Sequence, residues 1–238
     1  MLISTPMGQL KPASKSSSSS PSAAPKERLA HLRRSLSACR HCETVGLLPE
    51  ARPIFQLPET ARVGIFSQAP GNLAHQGGKP FLDPSGKRLR QWLGVDEAAF
   101  YDSGHFAIAP MAFCFPGYDG TGKTGRGGDR PPPKVCAERW RQDVLSPYRG
   151  QLRLALLIGS YAQSWHLGSG RKATLTETVR SWREFERDPV TGAKLYVLPH
   201  PSWRNTAWLR KNPWFEAEII PALQRDIEAA RQEPPSIV

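Results

Sequence analysis

The chain has 238 residues, a formal net charge of +11 and a pI near 9.9. This length excludes two large domains and suits one domain with a sizeable core. The positive charge indicates an anionic partner, and nucleic acid is the commonest such partner of a basic protein. The sequence contains no stretch apolar enough to span a bilayer and no secretory signal, so we expect a cytoplasmic protein without a membrane partner.

The N-terminal segment 1–26 is rich in Ser and Pro and carries basic residues but no acidic ones. We predict that it is a disordered tail. The ordered domain is expected to occupy residues 27–238 and to begin with a helix, because Leu29, Leu32 and Leu36 recur at helical spacing. We expect this domain to be monomeric.

Four short apolar runs follow at wide intervals, at Val63–Phe66, 106–109, Leu154–Ile158 and 195–198. Continuous apolar runs of this length are typical of strands that are buried on both faces of a parallel sheet. Helical patterns lie between and after the runs, at 86–93, 137–145, 161–167, 175–185 and 213–231. The alternation predicts an α/β fold, a three-layer α/β/α sandwich around a roughly four-stranded, mostly parallel sheet.

The residues that follow each apolar run are candidate site residues, because ligands of such sheets bind beyond the carboxyl ends of the strands. The first run is followed by Gln-Ala-Pro-Gly at 68–71, the second by Pro110, the third by 159–161 and the last by His-Pro-Ser at 200–202. Each segment alone is a weak signal, since strand ends commonly carry such turns and a lone histidine is usually structural.

Cys39 and Cys42 form a C-x-x-C pair, and Cys114 and Cys136 lie far downstream. Two thiolates in this spacing can bind one metal centre, which two distant cysteines can complete. A redox C-x-x-C normally follows a strand, whereas this pair follows a basic helix. Zinc, an iron–sulfur cluster and plain buried thiols remain open, and the lack of a second C-x-x-C favours the cluster.

The order of these pieces resembles that of the uracil-DNA glycosylase superfamily. The pieces are the turn SQAPG at 67–71, PFLDPSG at 80–86, FCFP at 113–116 and HPS at 200–202. The four cysteines resemble those of the iron–sulfur (family 4-like) branch, which carries a 4Fe-4S cluster. The resemblance covers about residues 36 to 225.

The resemblance implies a DNA-repair enzyme, a glycosylase that hydrolyses the N-glycosidic bond of uracil or a related deaminated base in DNA. The base would be flipped out of the stack into a pocket at the strand ends. Phe81 would stack on it, and Gln68, with the backbone at Ala69, would meet its polar edge. His200 would stabilise the negative charge that builds on the departing base.

The resemblance also implies a DNA-binding loop after the last strand, formed by Ser202, Trp203 and Arg204. Trp203 would act as a wedge in the duplex where the base has left. The alternative for this tryptophan is ordinary packing in the core.

Three departures from the family pattern concern the pocket. Ala69 stands where classical members have an acidic residue that activates water, so Asp83 and His75 are the candidates for that role, with a plain surface role as the alternative for each. Gln68 replaces the branch's usual glutamate. Pro110 stands where uracil-reading members have an asparagine.

A proline has neither a side-chain donor nor a backbone N–H, so Pro110 cannot supply the amide contacts of that asparagine. We therefore expect weaker discrimination of uracil or acceptance of another base. The alternative function is a non-catalytic iron–sulfur module that has kept the glycosylase fold and binds DNA.

The Gly- and Pro-rich insertion 116–133 matches the sequence motif of a phosphate-binding loop, G-x-x-x-x-G-K-T, at 117–124. A true phosphate-binding loop opens a helix. Three prolines at 131–133 follow too closely, so we predict no binding of nucleoside triphosphates. We expect instead a basic loop between two cluster cysteines that contacts DNA phosphates.

Overall fold

The sheet of the computed structural model has four parallel strands in the order β2-β1-β3-β4. The strands are β1 (Val63–Phe66), β2 (Phe106–Ile108), β3 (Leu154–Ile158) and β4 (Lys194–Leu198). The structure describes residues 25–120 and 127–232. All strand residues except the first of β4 are buried. Since neighbouring strand residues point to opposite faces, helices must cover both faces, and the predicted sandwich is confirmed.

The helices lie between the strands and at both ends of the described chain. They are α1 (Pro25–Ser37), α2 (His41–Thr44), α3 (Asn72–Gly77), α4 (Pro84–Leu93), α5 (Glu97–Tyr101), α6 (Lys134–Leu145), α7 (Ser160–Leu167), α8 (Leu175–Arg180), α9 (Thr206–Lys211) and α10 (Ile220–Gln232). The sequence analysis did not identify α2, α3, α5 and α9, because helices of four to six residues are too short to show a hydrophobic period. In the described ranges no helix combines the length and apolar character needed to cross a membrane.

Two predicted helices differ in detail. The helix expected over 175–185 stops at Arg180 and continues as a 3₁₀ turn, Trp182–Glu184, that stacks the buried Trp182 on Tyr196. The helix expected over 213–231 contains a π turn, Phe215–Ile219, directly before α10. Pro221 explains the wide turn, because its ring would collide with the carbonyl four residues earlier in a regular α-helix.

The predicted tail, 1–26, lies outside the described residues except for its last two, which belong to α1. The predicted first helix is present as α1, which begins at Pro25. The second half of the phosphate-binding pattern, 121–124, also lies outside the described residues, whereas 117–120 is described. The first helix after it, α6, begins at Lys134, directly behind the three prolines.

A buried network of charged and polar side chains crosses the core beneath the sheet's carboxyl edge. Arg141 of α6 is 1% exposed, and its Nη1 donates to the carbonyl of Ala109 at 2.7 Å. Its Nη2 lies 2.6 Å from Nε2 of His166, whose Nδ1 lies 2.6 Å from Oδ1 of Asp188. The other oxygen of Asp188 accepts from the backbone N–H and hydroxyl of Thr191, so the network ends on the chain before β4.

The network fixes the protonation of His166. A guanidinium group only donates, so Nε2 of His166 must accept and the proton must sit on Nδ1, which donates to the carboxylate. Burial lowers the pKa of His166 to about 4. Burial alone would raise the pKa of Asp188, but its hydrogen bonds with His166 and Thr191 hold this pKa below its usual range. The folded protein thus holds a neutral histidine between a cation and an anion.

We expect this histidine to make the free energy of unfolding fall in acid. The unfolded chain binds a proton at the ordinary histidine pKa, 6.5, whereas the folded protein binds it at about 4. The part of the folded protein's stability that depends on a neutral His166 is therefore fully present above pH 6.5 and is lost as the pH falls towards 4. Denaturant unfolding at pH 7 and pH 5 should show a loss of about 2 kcal/mol from this residue.

The variant His166→Gln keeps an acceptor and a donor for the network but cannot titrate. Its free energy of unfolding should therefore not show the decrease between pH 7 and pH 5 that His166 causes in the parent. The exposed His31 of α1 provides the control, and His31→Gln should keep the parental loss. Equal losses in the parent and His166→Gln would show that His166 does not titrate as described.

Candidate active site

The strand order places a crevice at the carboxyl edge of the sheet. The chain moves from β1 to β2 on one side and then returns to β3 on the other side of β1, so the connections diverge between β1 and β3. Ligands of open α/β sheets bind at such a point. The segments that follow β1, β3 and β4 border this crevice.

The turn after β1 is tied to the segment after β2. The N–H groups of Ala109, Met111 and Ala112 donate to the carbonyls of residues 65, 67 and 68 at 2.9, 2.8 and 3.1 Å. These bonds continue the parallel pairing past the strands and bring Gln68 beside the segment that holds the buried Pro110. Successive N–H groups of an extended chain point to opposite sides, so the missing N–H of this proline breaks no bond to β1.

Phe81 stands at the crevice in a strained backbone conformation. It is the one residue other than glycine with a positive φ, +57°, among those described. Its carbonyl oxygen lies 1.7 Å from the position a Cβ of Gly86 would take, so only glycine fits at the start of α4. Asp83 caps α4 by accepting from the N–H of Gly86 at 3.0 Å. The aromatic ring is half-buried and packs edge-on against Phe100, with 6.4 Å between ring centroids.

His200 follows β4 and is held as a neutral donor. Its Nδ1 accepts from the N–H of Ser202 at 3.3 Å, so its proton lies on Nε2. Burial lowers the pKa of His200, the charge of Arg204 lowers it further, and Asp83 acts in the opposite direction. Gly159, directly after β3, adjoins His200, since a Cβ there would be in ordinary contact with the His200 side chain at 3.6 Å. The ring is thus an N–H donor at neutral pH.

Arg88 of α4 holds the loop that follows His200. Its guanidinium donates to the carbonyls of Pro201 and Ser202 at 3.3 and 3.0 Å, and lies 3.4 Å from the Thr206 hydroxyl. The side chain of Asn205 donates to the His200 carbonyl at 2.7 Å. The sequence analysis did not identify Arg88, because an arginine in a helix more than 100 residues away carries no signal of such a contact.

The tip of this loop carries Trp203, whose side chain is 75% exposed. The alternative of ordinary core packing is therefore wrong. The guanidinium of Arg204 lies 5.7 Å from the centre of the indole ring, so a cation and an apolar ring project together into solvent.

His75, the other predicted catalytic histidine, lies at a different place in the structure. It belongs to α3, its Nε2 is 3.1 Å from a carboxylate oxygen of Glu50, and its ring is 5.8 Å from that of Phe115. These neighbours lie beside Cys114. The structure thus brings Asp83 near His200 and gives His75 partners on the cysteine side.

The described parts of the insertion, 116–120 and 127–133, are here called the arm, and they return to the crevice from the segment after β2. Tyr118 and Asp129 form an antiparallel bridge at the base of the arm, supported by hydrogen bonds from Asp119 to Gly128 and from Arg130 to residue 117. A Cβ on Gly128 would lie 3.0 Å from a guanidinium nitrogen of Arg204, so the arm rests against the loop after β4.

Asp129 of the arm faces the turn after β1. A Cβ placed on Gly71 would lie 3.6 Å from Oδ2 of Asp129. Partial burial raises the pKa of Asp129, the charge of Arg204 opposes this, and the charges of Asp83 and Asp119 add to it. The sequence analysis did not identify this carboxylate, because nothing in a Gly/Pro-rich insertion indicates which of its residues returns to a strand end.

The four cysteines gather behind the crevice, and all of them are free thiols. Cys42 of α2 and Cys114 share a small apolar cluster with Leu48 and Ala51. Cys136 lies in the first turn of α6 and, like these two, is buried, whereas Cys39 is half-buried.

The thiols act on one another electrostatically. Burial and the nearby Cys39 raise the pKa of Cys42, and burial raises the pKa of Cys114 and of Cys136 to about 12, with the other cysteines adding to the effect. The backbones of Arg52 and Phe113 hydrogen-bond to the last two sulfurs. In ranges 25–120 and 127–232, no three or more His, Cys, Asp or Glu side chains are arranged as the ligands of a single metal ion.

The family comparison agrees with this geometry. A family model described as "Uracil DNA glycosylase superfamily" matches residues 54–224, more than two thirds of the chain. The matched region contains the turn at 68–71, Phe81, His200 and the arm. It contains Cys114 and Cys136 but begins after the C-x-x-C pair. The superfamily resemblance is confirmed, while the iron–sulfur branch stays a prediction.

We expect Arg88→Ala to loosen the loop after β4 without unfolding the domain. The substitution removes charge-assisted hydrogen bonds to two loop carbonyls, which are worth about 1.5 to 3 kcal/mol each. Amide hydrogen exchange at 202–206 should therefore accelerate at least tenfold. The exposed neighbour Lys87 on the same helix offers a control, and Lys87→Ala should leave these rates unchanged. Unchanged protection in Arg88→Ala would show that the loop is held by other contacts.

Proposed function

The chain belongs to the uracil-DNA glycosylase superfamily, and from this premise we propose that it is a base-excision repair enzyme. It hydrolyses the N-glycosidic bond of uracil or a related deaminated base that has been flipped out of DNA. The observation that carries the proposal is His200, a neutral imidazole with its N–H on Nε2 at the carboxyl edge of the sheet.

The proposed reaction uses this donor as the bond breaks. The electron pair of the glycosidic bond leaves with the base, and a hydrogen bond from Nε2 of His200 stabilises the resulting negative charge. A neutral imidazole suits this role because it already carries the N–H that donates the hydrogen bond, so it need not first be protonated. Water adds to the sugar carbon and loses a proton, which completes the hydrolysis.

The pocket residues have matching roles in the proposal. Phe81 stacks on the base, and its strained backbone, locked by Gly86, keeps the ring from turning away. Gln68 supplies amide contacts to the polar edge of the base. Because Pro110 offers no donor, we propose that the pocket selects its base less strictly than one with an amide there.

The exposed loop supports DNA as the partner. Trp203 can fill the space that the flipped base leaves in the stack, with Arg204 and the main chain of Ser202 at the phosphates. Arg88 keeps this loop ordered before DNA arrives, which lowers the entropy lost on binding.

We propose a 4Fe-4S cluster as the cofactor, with Cys39, Cys42, Cys114 and Cys136 as its ligands. The four thiols lie close enough to act on one another electrostatically, and two of them, Cys114 and Cys136, receive backbone hydrogen bonds, as cluster sulfurs do. A single zinc ion needs all its ligands around one point, whereas a cluster spreads its thiolates over four irons. When bound, the cluster supplies iron–thiolate bonds that tie α2, the segment after β2 and α6 together.

The test of function is excision from oligonucleotides that contain uracil, hypoxanthine or xanthine, with alkali-labile sites as the readout. We expect excision of at least one of these bases. His200→Ala should lower its single-turnover rate by about a hundred- to a thousandfold, which is the usual effect of removing one preorganised donor. DNA affinity and unfolding temperature should stay near the parental values.

The exposed His31 again gives the matched control, and His31→Ala should excise at the parental rate. DNA binding without excision of any base by the parent would favour the non-catalytic module instead. A His200→Ala protein that excises at the parental rate would contradict the role of His200, and one that unfolds would make this histidine structural.

The cofactor proposal predicts a brown protein with about four irons per chain after purification without oxygen. Metal and sulfide analysis with visible absorbance provides the measurement. Cys136→Ser should lose the absorbance and lower the unfolding temperature, whereas Ala137→Ser, on the same helical turn, should change neither. A colourless protein with one zinc per chain would refute the cluster and leave a structural zinc site.

A further inference from the structure

The crevice lacks a carboxylate at the position where the sequence of the turn would supply one. Ala69 has no polar side chain, and it packs against the hydrophobic core. Hydrolysis nevertheless requires a group that orients water and accepts its proton. Three described carboxylates lie in this region, those of Asp83, Asp119 and Asp129. Asp83 acts electrostatically on His200, and Asp83 and Asp119 act on Asp129.

Asp129 approaches the same turn from outside. Its Oδ2 would lie 3.6 Å from a Cβ at Gly71, two residues after Ala69, and the glycine leaves that space open. The arm reaches this position through its paired base, where Tyr118 and Asp129 bridge, and through its contact with Arg204. The carboxylate is therefore placed over the turn by the fold of the arm.

Asp83 is committed to a different task. Its Oδ1 accepts the N–H of Gly86 and caps α4, and it stands at the positive end of that helix dipole. Asp129 caps no helix, and its residue remains exposed enough to meet water. Partial burial raises its pKa, and an acceptor gains strength as its pKa moves up towards the working pH.

We infer that Asp129 is a catalytic residue that holds the hydrolytic water and accepts its proton, in place of the acid missing at residue 69. The inference rests on the proposed function. The water oxygen bonds to the sugar carbon, one water proton moves to the Asp129 carboxylate, and the glycosidic electron pair leaves with the base beside His200. The arm thus completes the reaction centre.

The first experiment compares single-turnover excision by the full-length holoprotein and by Asp129→Asn. The variant should be at least a hundredfold slower, within the usual range for losing a general base, with DNA affinity changed less than twofold. Asp119→Asn removes the same charge from the same arm and should retain the parental rate within about threefold. Visible absorbance and unfolding temperature verify that each variant is folded.

The pH profile separates proton transfer from simple placement of the arm. Three charged groups face Asp129, namely Arg204, Asp83 and Asp119. The parental rate should fall as the pH drops through the raised pKa of Asp129, because the protonated carboxyl cannot accept a proton. The residual rate of Asp129→Asn should lack this acid limb. Asp129→Glu should recover part of the rate, since it restores a carboxylate at a slightly different reach.

Asp83→Asn tests the competing carboxylate, because asparagine caps helices as well as aspartate and should preserve α4. We expect it to lose less than tenfold in rate.

Parental excision by Asp129→Asn, or a larger loss in Asp83→Asn or Asp119→Asn than in Asp129→Asn, would overturn the inference while leaving the proposed function intact. A parent that excises no base would overturn the proposed function and this inference with it.

Discussion

The buried guanidinium of Arg141 is the constraint on which the rest of the structure depends. It fixes α6 to the carbonyl of Ala109 at the end of β2 and, through His166, to α7 and the chain before β4. Its face also lies 4.5 Å from the centre of the Phe66 ring on β1. Removing one partner would leave a charge buried alone, at a penalty of about 3 to 5 kcal/mol. The contacts of Arg141 therefore fix α6, α7 and the ends of β1 and β2 relative to one another.

The same constraint links the cysteines to the crevice. Cys136 lies on the helix that carries Arg141, and the carbonyl that Arg141 binds directly precedes Pro110. A displacement of α6 would therefore move one thiol and the segment after β2 at once. The strained conformation of Phe81 is held locally, by its packing on Phe100 and by the close approach of its carbonyl to Gly86, because strain persists only where the surroundings determine the conformation.

The sequence predicted what depends on local pattern. The four strands were identifiable because strands buried on both faces give uninterrupted apolar runs. The place of His200 at a strand end followed from such a run, whereas its proposed role came from the family resemblance. Arg88 and Asp129 could not be picked out from the sequence, because each is a polar residue whose proposed role depends on a contact with residues far away in the chain. The exposure of Trp203 depended on the loop's path, which hydrophobicity does not encode.

The bridge between Tyr118 and Asp129 pairs the two described parts of the arm with each other and lies outside the four-stranded sheet. Loops of this kind vary more among related proteins than the elements that carry them. In the proposed reaction, base recognition belongs to the turn and Phe81, whereas the carboxylate of Asp129 comes from the arm. In evolutionary terms, the two traits sit on separate inherited segments. A lineage can therefore retune hydrolysis by exchanging the arm and keep the specificity of its ancestor.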